Sequence, residues 1–146
     1  MIDDIYNFLK IDEQIGTAGQ PTIEQFADIA AEGYEIVINL ALPTSDGAIP
    51  NEGEIVSTHG MIFVHMPVDF ESPTAEDFEL FNGLMNTFAD KKVFVHCAMN
   101  MRVSAFVFAY RVRKRKAPRD IALADLTTIW QPNAIWQKWI DAQLSN

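Results

Sequence analysis

The stretch Val93-Phe94-Val95-His96-Cys97-Ala98-Met99-Asn100-Met101-Arg102-Val103-Ser104 limits what this chain can become more than any other. An apolar, β-branched run stops at the chain's one cysteine, a short loop follows, and Ser104 to Tyr110 reads as a buried helix. A strand that delivers a Cys to a helix start sets it among free backbone N–H groups at the positive end of the helix dipole, which stabilise a thiolate. The same concave run of N–H groups binds an oxyanion, and Arg102 adds a planar fork of donors suited to phosphate or sulfate oxygens. Each part has a plainer origin. A lone Cys at a strand end is commonly a small buried hydrophobe, and an Arg in a first helical turn is commonly a solvated charge. Their coincidence within six residues favours a site.

At 146 residues the chain reads as a single domain, 1–146, with room for a real core. Its 49% apolar and 21% charged residues suit a globular protein, and no apolar run approaches the length of a membrane span. The opening Met1-Ile2-Asp3-Asp4-Ile5-Tyr6 is acidic and lacks the basic-then-apolar order of a signal peptide. One cysteine forbids an internal disulfide, and a free thiol fits a reducing cytoplasm; the periplasm applies only if a signal peptide has been removed. A net charge of −9 argues against nucleic-acid binding. The charge is uneven, because Arg111, Arg113, Lys114, Arg115, Lys116 and Arg119 make six of the eleven basic residues. That segment is either a solvated helix end with favourable dipole interactions or a docking patch for an acidic partner or polyanionic substrate.

Hydrophobic periodicity orders the rest. Ile2 to Leu9 reads as a short amphipathic helix on the outside, and Ile15 to Ala18 as a brief strand closed by Gly19-Gln20-Pro21. Thr22 caps a helix through Ala31, with Ile23, Phe26, Ala27 and Ala30 on one face and Gly33 as terminator. Glu35 to Leu40 is a continuous run typical of a central strand. A loop over Pro43 to Pro50, a helix over Glu52 to Gly60 and a strand over Met61 to Met66 follow. Thr74 with Asp77 marks the start of a helix whose Phe78, Phe81, Leu84, Met85 and Phe88 face the core. The strand Lys92 to His96, the helix Val103 to Arg115, and two closing helices over Ile121 to Trp130 and Asn133 to Leu144 complete the chain. This alternation predicts an α/β fold: a central, mostly parallel sheet flanked by helices. In such sheets ligands sit beyond the carboxyl ends of the strands, where Cys97 falls. Trp130, Trp136 and Trp139 are expected to pack the last helices against the body. His59 and His65 lack partners at ligand spacing, so neither metal nor cofactor is expected. Asn39, at a central strand end, reads as a turn-former.

Val95-His96-Cys97, a loop, an Arg and a Ser at the helix start resemble the phosphate-binding loop of cysteine-dependent phosphatases of the protein tyrosine and dual-specificity class. Ala18-Gly19-Gln20-Pro21, Ile36-Val37-Ile38-Asn39-Leu40 and Pro67-Val68-Asp69 extend the resemblance, over roughly residues 12 to 115, to the bacterial β-lactamase-hydrolase-like phosphatases. That superfamily has one more residue between its Cys and Arg, and places Ser or Thr directly after the Arg. Here four residues separate Cys97 from Arg102, and Val103 intervenes before Ser104. Either Arg102 clamps a shorter loop, or the clamp is displaced and activity is weak. Asn100 stands where the family has Gly, at a position where positive φ is often needed, and Asn tolerates it.

The resemblance implies hydrolysis of a phosphate monoester, on a phosphorylated small molecule or a phosphoprotein. Cys97 would attack and carry the phosphoryl group, while Ala98, Met99, Asn100, Met101, Arg102 and Val103 hold it. Asp69, at a strand end 28 positions ahead of Cys97, resembles the class's general acid, with Glu71 and Glu76 as nearby substitutes. Ser104 would hydrogen-bond the thiolate leaving group. His96 would organise the loop, since adjacent strand side chains point to opposite faces and it cannot act directly on Cys97. Two other readings share the loop. Rhodanese-like sulfurtransferases use the shorter spacing, but their chain should continue with another strand after the helix. A noncatalytic module would keep only anion binding.

Overall fold

The β-branched runs become the strands of one mixed sheet in a computed structural model that describes residues 1–145. The strands are β1 (Leu9–Lys10), β2 (Ile15–Ala18), β3 (Ile36–Asn39), β4 (Ile62–His65) and β5 (Val93–His96), in the spatial order β1-β2-β5-β3-β4. Only β1 runs antiparallel; β5 lies at the centre, flanked in parallel by β2 and β3. Helices α1 (Gln25–Ala31), α2 (Glu52–Thr58), α3 (Ala75–Thr87), α4 (Met101–Arg113), α5 (Arg119–Ile129) and α6 (Ala134–Ser145) surround it. The expected α/β class is therefore the observed one, and no strand follows α4 among the described residues.

Register explains why the chemistry gathers at one rim. His96 lies between Ala18 and Asn39 at the carboxyl ends of β5, β2 and β3, with His65 beside Asn39 on β4. The chain leaves the sheet there four times, and each exit becomes a loop over the same edge. Asn39 turns its exit by accepting the Ala41 N–H at 2.8 Å, the turn-forming role read from sequence.

Alternation along β5 divides the core. Val93, Val95 and Cys97 join the cluster under α3 to α6, whereas Phe94 meets Phe26, Ile29 and Val56 under α1 and α2. Phe106 of α4 is fully buried and stacks on Trp139 with centroids 4.4 Å apart. The three tryptophans do fasten the closing helices: their indole N–H groups donate to Ser104 Oγ, Phe70 O and Thr74 O at 3.1, 2.8 and 2.9 Å. The Thr74–Asp77 capping box forms as expected.

Three local expectations fail. Ile2 to Leu9 is not a helix. A single 3-10 turn, Ile2–Asp4, gives way to β1, because Leu9 and Lys10 pair with Thr17 and Gly16. The first helix begins at Gln25 rather than after Thr22, although Thr22 and Gln25 do bond reciprocally, so Ile23 is left 52% exposed and Ile29 takes its place inside. Helix α4 starts at Met101, two residues ahead of the expected Val103, and ends at Arg113 rather than Arg115.

One titration follows from this packing. Tyr34 lies edge-on to Phe94 at 5.3 Å, and its hydroxyl occupies the space that a Cβ on Gly16 would need. Burial, then the nearby Glu32, Asp12 and Glu13 carboxylates, push its phenol from 10.0 up to about 12. In that interval the unfolded chain releases a proton that the folded chain keeps. The contribution to stability is thus complete below pH 10 and is lost as pH climbs toward 12. An ultraviolet titration should show a late tyrosine ionisation that disappears in Tyr34→Phe, and the same substitution should flatten the alkaline fall in stability. An alkaline titration that Tyr34→Phe leaves unchanged would contradict the packing.

Candidate active site

Cys97 stands one residue beyond the central strand and is 1% exposed, its N–H donating to Ala18 O at 3.4 Å. Residues 98–100 then turn the chain into α4. The turn requires Asn100 to adopt φ 67°, the left-handed conformation expected of it. Its buried side chain fixes that geometry by donating to Asn7 O at 2.9 Å and to Thr17 Oγ1 at 3.1 Å. Asn7 returns the contact, donating to Met99 O at 3.0 Å. Gly19 supplies the close approach on the other side. A Cβ there would lie 2.7 Å from Ala98 O, and Gln20 N–H donates to that same oxygen at 3.0 Å.

This clamp leaves the amides of the loop unspent. Among the described residues, no protein acceptor takes the backbone N–H of Ala98, Met99, Asn100, Met101, Arg102 or Val103. The last three belong to the first turn of α4, where N–H groups have no intrahelical partner. A continuous run of free donors therefore follows Cys97, at the positive end of a helix thirteen residues long.

Arg102 closes the run. It is 6% exposed, and its Nη1 and Nη2 donate to Val68 O at 3.0 Å and Ser45 Oγ at 3.4 Å. The guanidinium carbon stands 5.8 Å from the centroid of the Phe70 ring. Its Nε is buried without an acceptor, and no carboxylate pairs with it among the described residues. A buried cation without counter-charge is costly unless an anion completes it.

The same guanidinium reaches the loop of Asp69. Val68 O, its acceptor, immediately precedes Asp69, and the Trp136 indole holds Phe70 O on the other side. Asp69 itself is exposed, with Oδ1 accepting the Glu71 N–H at 2.9 Å. Glu71 and Glu76, the substitute acids, are also exposed.

Ser104 does not go where expected. Its hydroxyl donates to Met101 O at 3.0 Å and accepts from Trp130 Nε1 at 3.1 Å. Residues two apart in a helix do not share a face, so the interposed Val103 turns Ser104 away from the side taken by Arg102. His96 does brace the loop, through a partner that the sequence reading did not single out. Its Nδ1–H donates to Cys97 O at 3.2 Å, and Nε2 lies 2.5 Å from Glu52 Oε2. Glu52 is 3% exposed and also accepts from Gln20 Nε2 at 3.0 Å, so the half-buried Gln20 and the buried Glu52 and His96 form a chain ending on the cysteine's carbonyl. A Glu opening a short helix carries no sequence signal of such a role.

The basic segment lies at the far end of α4. Arg111 pairs with Asp125, Arg113 donates to Gln143 O, and Arg115 donates to the Tyr110 hydroxyl. Two of its charges, Arg111 and Arg113, thus knit α4 to α5 and α6, while Lys114, Arg115, Lys116 and Arg119 are exposed. No group of three or more His, Cys, Asp or Glu residues is placed to hold a metal ion among the described residues. No helix there is long and apolar enough to cross a membrane.

Known proteins are similar to this chain in sequence and fold. A family model described as DSP-PTPase phosphatase fused to NAD+ kinase matches residues 9–138. A β-lactamase hydrolase-like protein of Xylella fastidiosa strain Temecula1 is 31% identical over 118 residues, covering 77% of this chain. The chain spans only 26% of that relative's length. Among solved structures, a protein of Shewanella putrefaciens CN-32 assigned to the DUF442 phosphatases superposes with a TM-score of 0.89 at 30% identity, covering 99% of this chain and 95% of that one. The core catalytic domain of the PP-IP phosphatase SIW14 from Saccharomyces cerevisiae has the same fold, with a TM-score of 0.77 at 13% identity and coverage of 94% and 85%. With the fold, the resemblance at the Cys loop and a match over most of its length, this chain belongs to the DSP-PTPase-like phosphatase family that the model describes.

Proposed function

We propose that the protein is a cysteine-dependent phosphatase that hydrolyses phosphate monoesters through a phosphocysteine intermediate. The observation that carries this reading is the buried Arg102, with Nε unpaired and no acidic partner, at the end of a run of free amides that begins after Cys97. Such a donor set matches the oxygens of a transferring phosphoryl group better than any neutral ligand. The absence of a strand after α4 among the described residues, together with family membership, disfavours the sulfurtransferase alternative.

In the first step the Cys97 thiolate attacks phosphorus, the P–O bond to the leaving group breaks, and Asp69 gives that oxygen a proton. Water then attacks the phosphocysteine, the S–P bond breaks to restore the thiolate, and the Asp69 carboxylate takes the water's proton. Arg102 and the amides of residues 98–103 hold the equatorial oxygens throughout. Because Arg102 also binds Val68 O, the nucleophile loop and the acid loop share one tie.

Hydrolysis of a generic aryl phosphate should vanish in Cys97→Ser. It should fall roughly a hundredfold or more in Arg102→Ala and in Asp69→Asn. Arg102→Lys should recover little, because an ammonium cannot reproduce the planar fork. Turnover that survives Cys97→Ser would exclude the thiol route.

The buried Glu52 is a positioning residue, and its removal tests the bracing. Glu52→Ala should cost about 3–5 kcal/mol in urea unfolding, as expected when one partner of a buried polar pair is deleted. In the variant that remains folded, kcat for aryl phosphate should fall while a phosphate probe still binds. Unchanged stability and unchanged kcat would remove Glu52 and His96 from any account of the loop.

A further inference from the structure

A recess of about 530 Å³ opens between α3 and the far end of α4, a helix of thirteen residues, or roughly 20 Å, from the nucleophile loop. Glu79, Asn82, Gly83 and Asn86 stand on its α3 side, and Lys114 and Arg115, just past α4, on the other. The fold leaves three of its features unexplained. Asn82 is 8% exposed, and neither its Nδ2 nor its Oδ1 has a hydrogen-bond partner. A buried amide left so is costly, and an apolar side chain of the same shape would be better tolerated. Gly83 weakens the middle of α3, yet a Cβ there would meet nothing within 4 Å, so no packing requires it. Lys114 and Arg115 are exposed, and no carboxylate pairs with either among the described residues.

The remaining geometry selects a ligand. Arg115 Nε donates to the Tyr110 hydroxyl at 3.0 Å, and its guanidinium lies 5.5 Å from that ring's centroid, which holds the fork at the rim. An adjoining hollow lined by Arg113, Lys114 and Lys116 continues the basic edge. Lys116 keeps a cation there although its backbone, at φ 56°, is one that glycine adopts without strain. Asn82 and Asn86 stand one helical turn apart on the recess wall, a spacing of about 5–6 Å between Cβ atoms. Same-side residues of an extended chain repeat at about 6.6 Å, nearly the same distance. Two side-chain amides so spaced can each give a hydrogen bond to a strand's main chain and take one from it. The open space at Gly83, beside them, admits that main chain.

We propose that this recess docks an extended acidic segment of a protein partner, apart from the reacting site. The segment's main-chain amides pair with Asn82 and Asn86, the Asn82 amide turning outward as interface side chains commonly do on binding. Its Asp or Glu side chains meet Lys114 and Arg115, while Glu79 bounds the acidic stretch at the other end. On a chain of net charge −9, this unpaired basic edge is where an acidic partner is attracted rather than repelled. A small polyanion would satisfy the cations but leave both amides and the space at Gly83 unused.

Calorimetric titration of the intact protein with three probes decides this: a peptide alternating Asp with Ser, its Lys-Ser counterpart, and inositol hexakisphosphate. The Asp peptide should bind, more weakly as salt is raised, and the Lys peptide should not. Lys114→Glu/Arg115→Glu should abolish binding. Asn82→Leu and Gly83→Ala should each raise the melting temperature, because they remove an orphaned amide and a helix-weakening glycine. Both should nonetheless weaken the Asp peptide about tenfold, a loss that unfolding cannot explain in a stabilised protein. Asn86→Ala, at an exposed position, should weaken it without touching the core. Absent binding of the Asp peptide, equal binding of the Lys peptide, or affinity unchanged by the asparagine and glycine substitutions would overturn the proposal. So would inositol hexakisphosphate binding tighter than the peptide at Lys114 and Arg115. None of these measurements depends on turnover, so they stand or fall separately from the phosphatase reading.

Discussion

A guanidinium buried at the head of α4 with no carboxylate partner among the described residues is the constraint around which this structure is arranged. Taking such a charge out of water is unfavourable by several kcal/mol unless it is well solvated by protein dipoles. Val68 O, Ser45 Oγ and the face of Phe70 supply part of that solvation, and Nε is left over. Contrast Arg111, whose partner Asp125 satisfies it in a structural pair. The two arginines stand on one helix, nine positions apart, and only the one next to the cysteine has been denied a counter-ion. The proposed catalysis turns that deficit to use, since the missing anion is the substrate's phosphoryl group.

A charge held in this way demands a rigid loop, and the surroundings provide one from three directions. Asn7, Thr17 and Asn100 fix the left-handed turn from beneath β2 and the N-terminal segment. Gly19 and Gln20 close on Ala98 O from the end of β2. Glu52 and His96 hold Cys97 O from the opposite face of the sheet. Each spends a side chain or a carbonyl and leaves the loop's N–H groups free. That division explains how a short loop, one residue shorter than the dual-specificity pattern, keeps its donors unpaired.

Much of this was legible in the sequence. Strand and helix order, the positive φ of Asn100, the Thr74 capping box and the turn at Asn39 are local effects, and local composition reported them. What escaped was long-range. Leu9–Lys10 carries no strand signal of its own and becomes β1 only because Thr17 and Gly16 lie opposite. Glu52 is an ordinary first-turn acid until the fold brings it to His96, 44 positions away. Ser104 was misdirected for a reason visible in the spacing: a single inserted residue rotates a helical side chain by about 100°, which carries it to another face. The Arg111–Arg119 run showed charge without showing which charges were already engaged in holding α4 to α5 and α6.

The central claim is that residues 98–103 and Arg102 form one oxyanion cradle, and amide chemical shifts test it most directly. Orthovanadate, a tetrahedral anion that mimics the phosphoryl group, should be titrated into ¹⁵N-labelled protein. The account predicts saturable shifts confined to the amides of residues 98–103 and to the Arg102 Nε–H, abolished in Arg102→Ala. Shifts that cluster instead around residues 111–119, or that persist unchanged without Arg102, would contradict it.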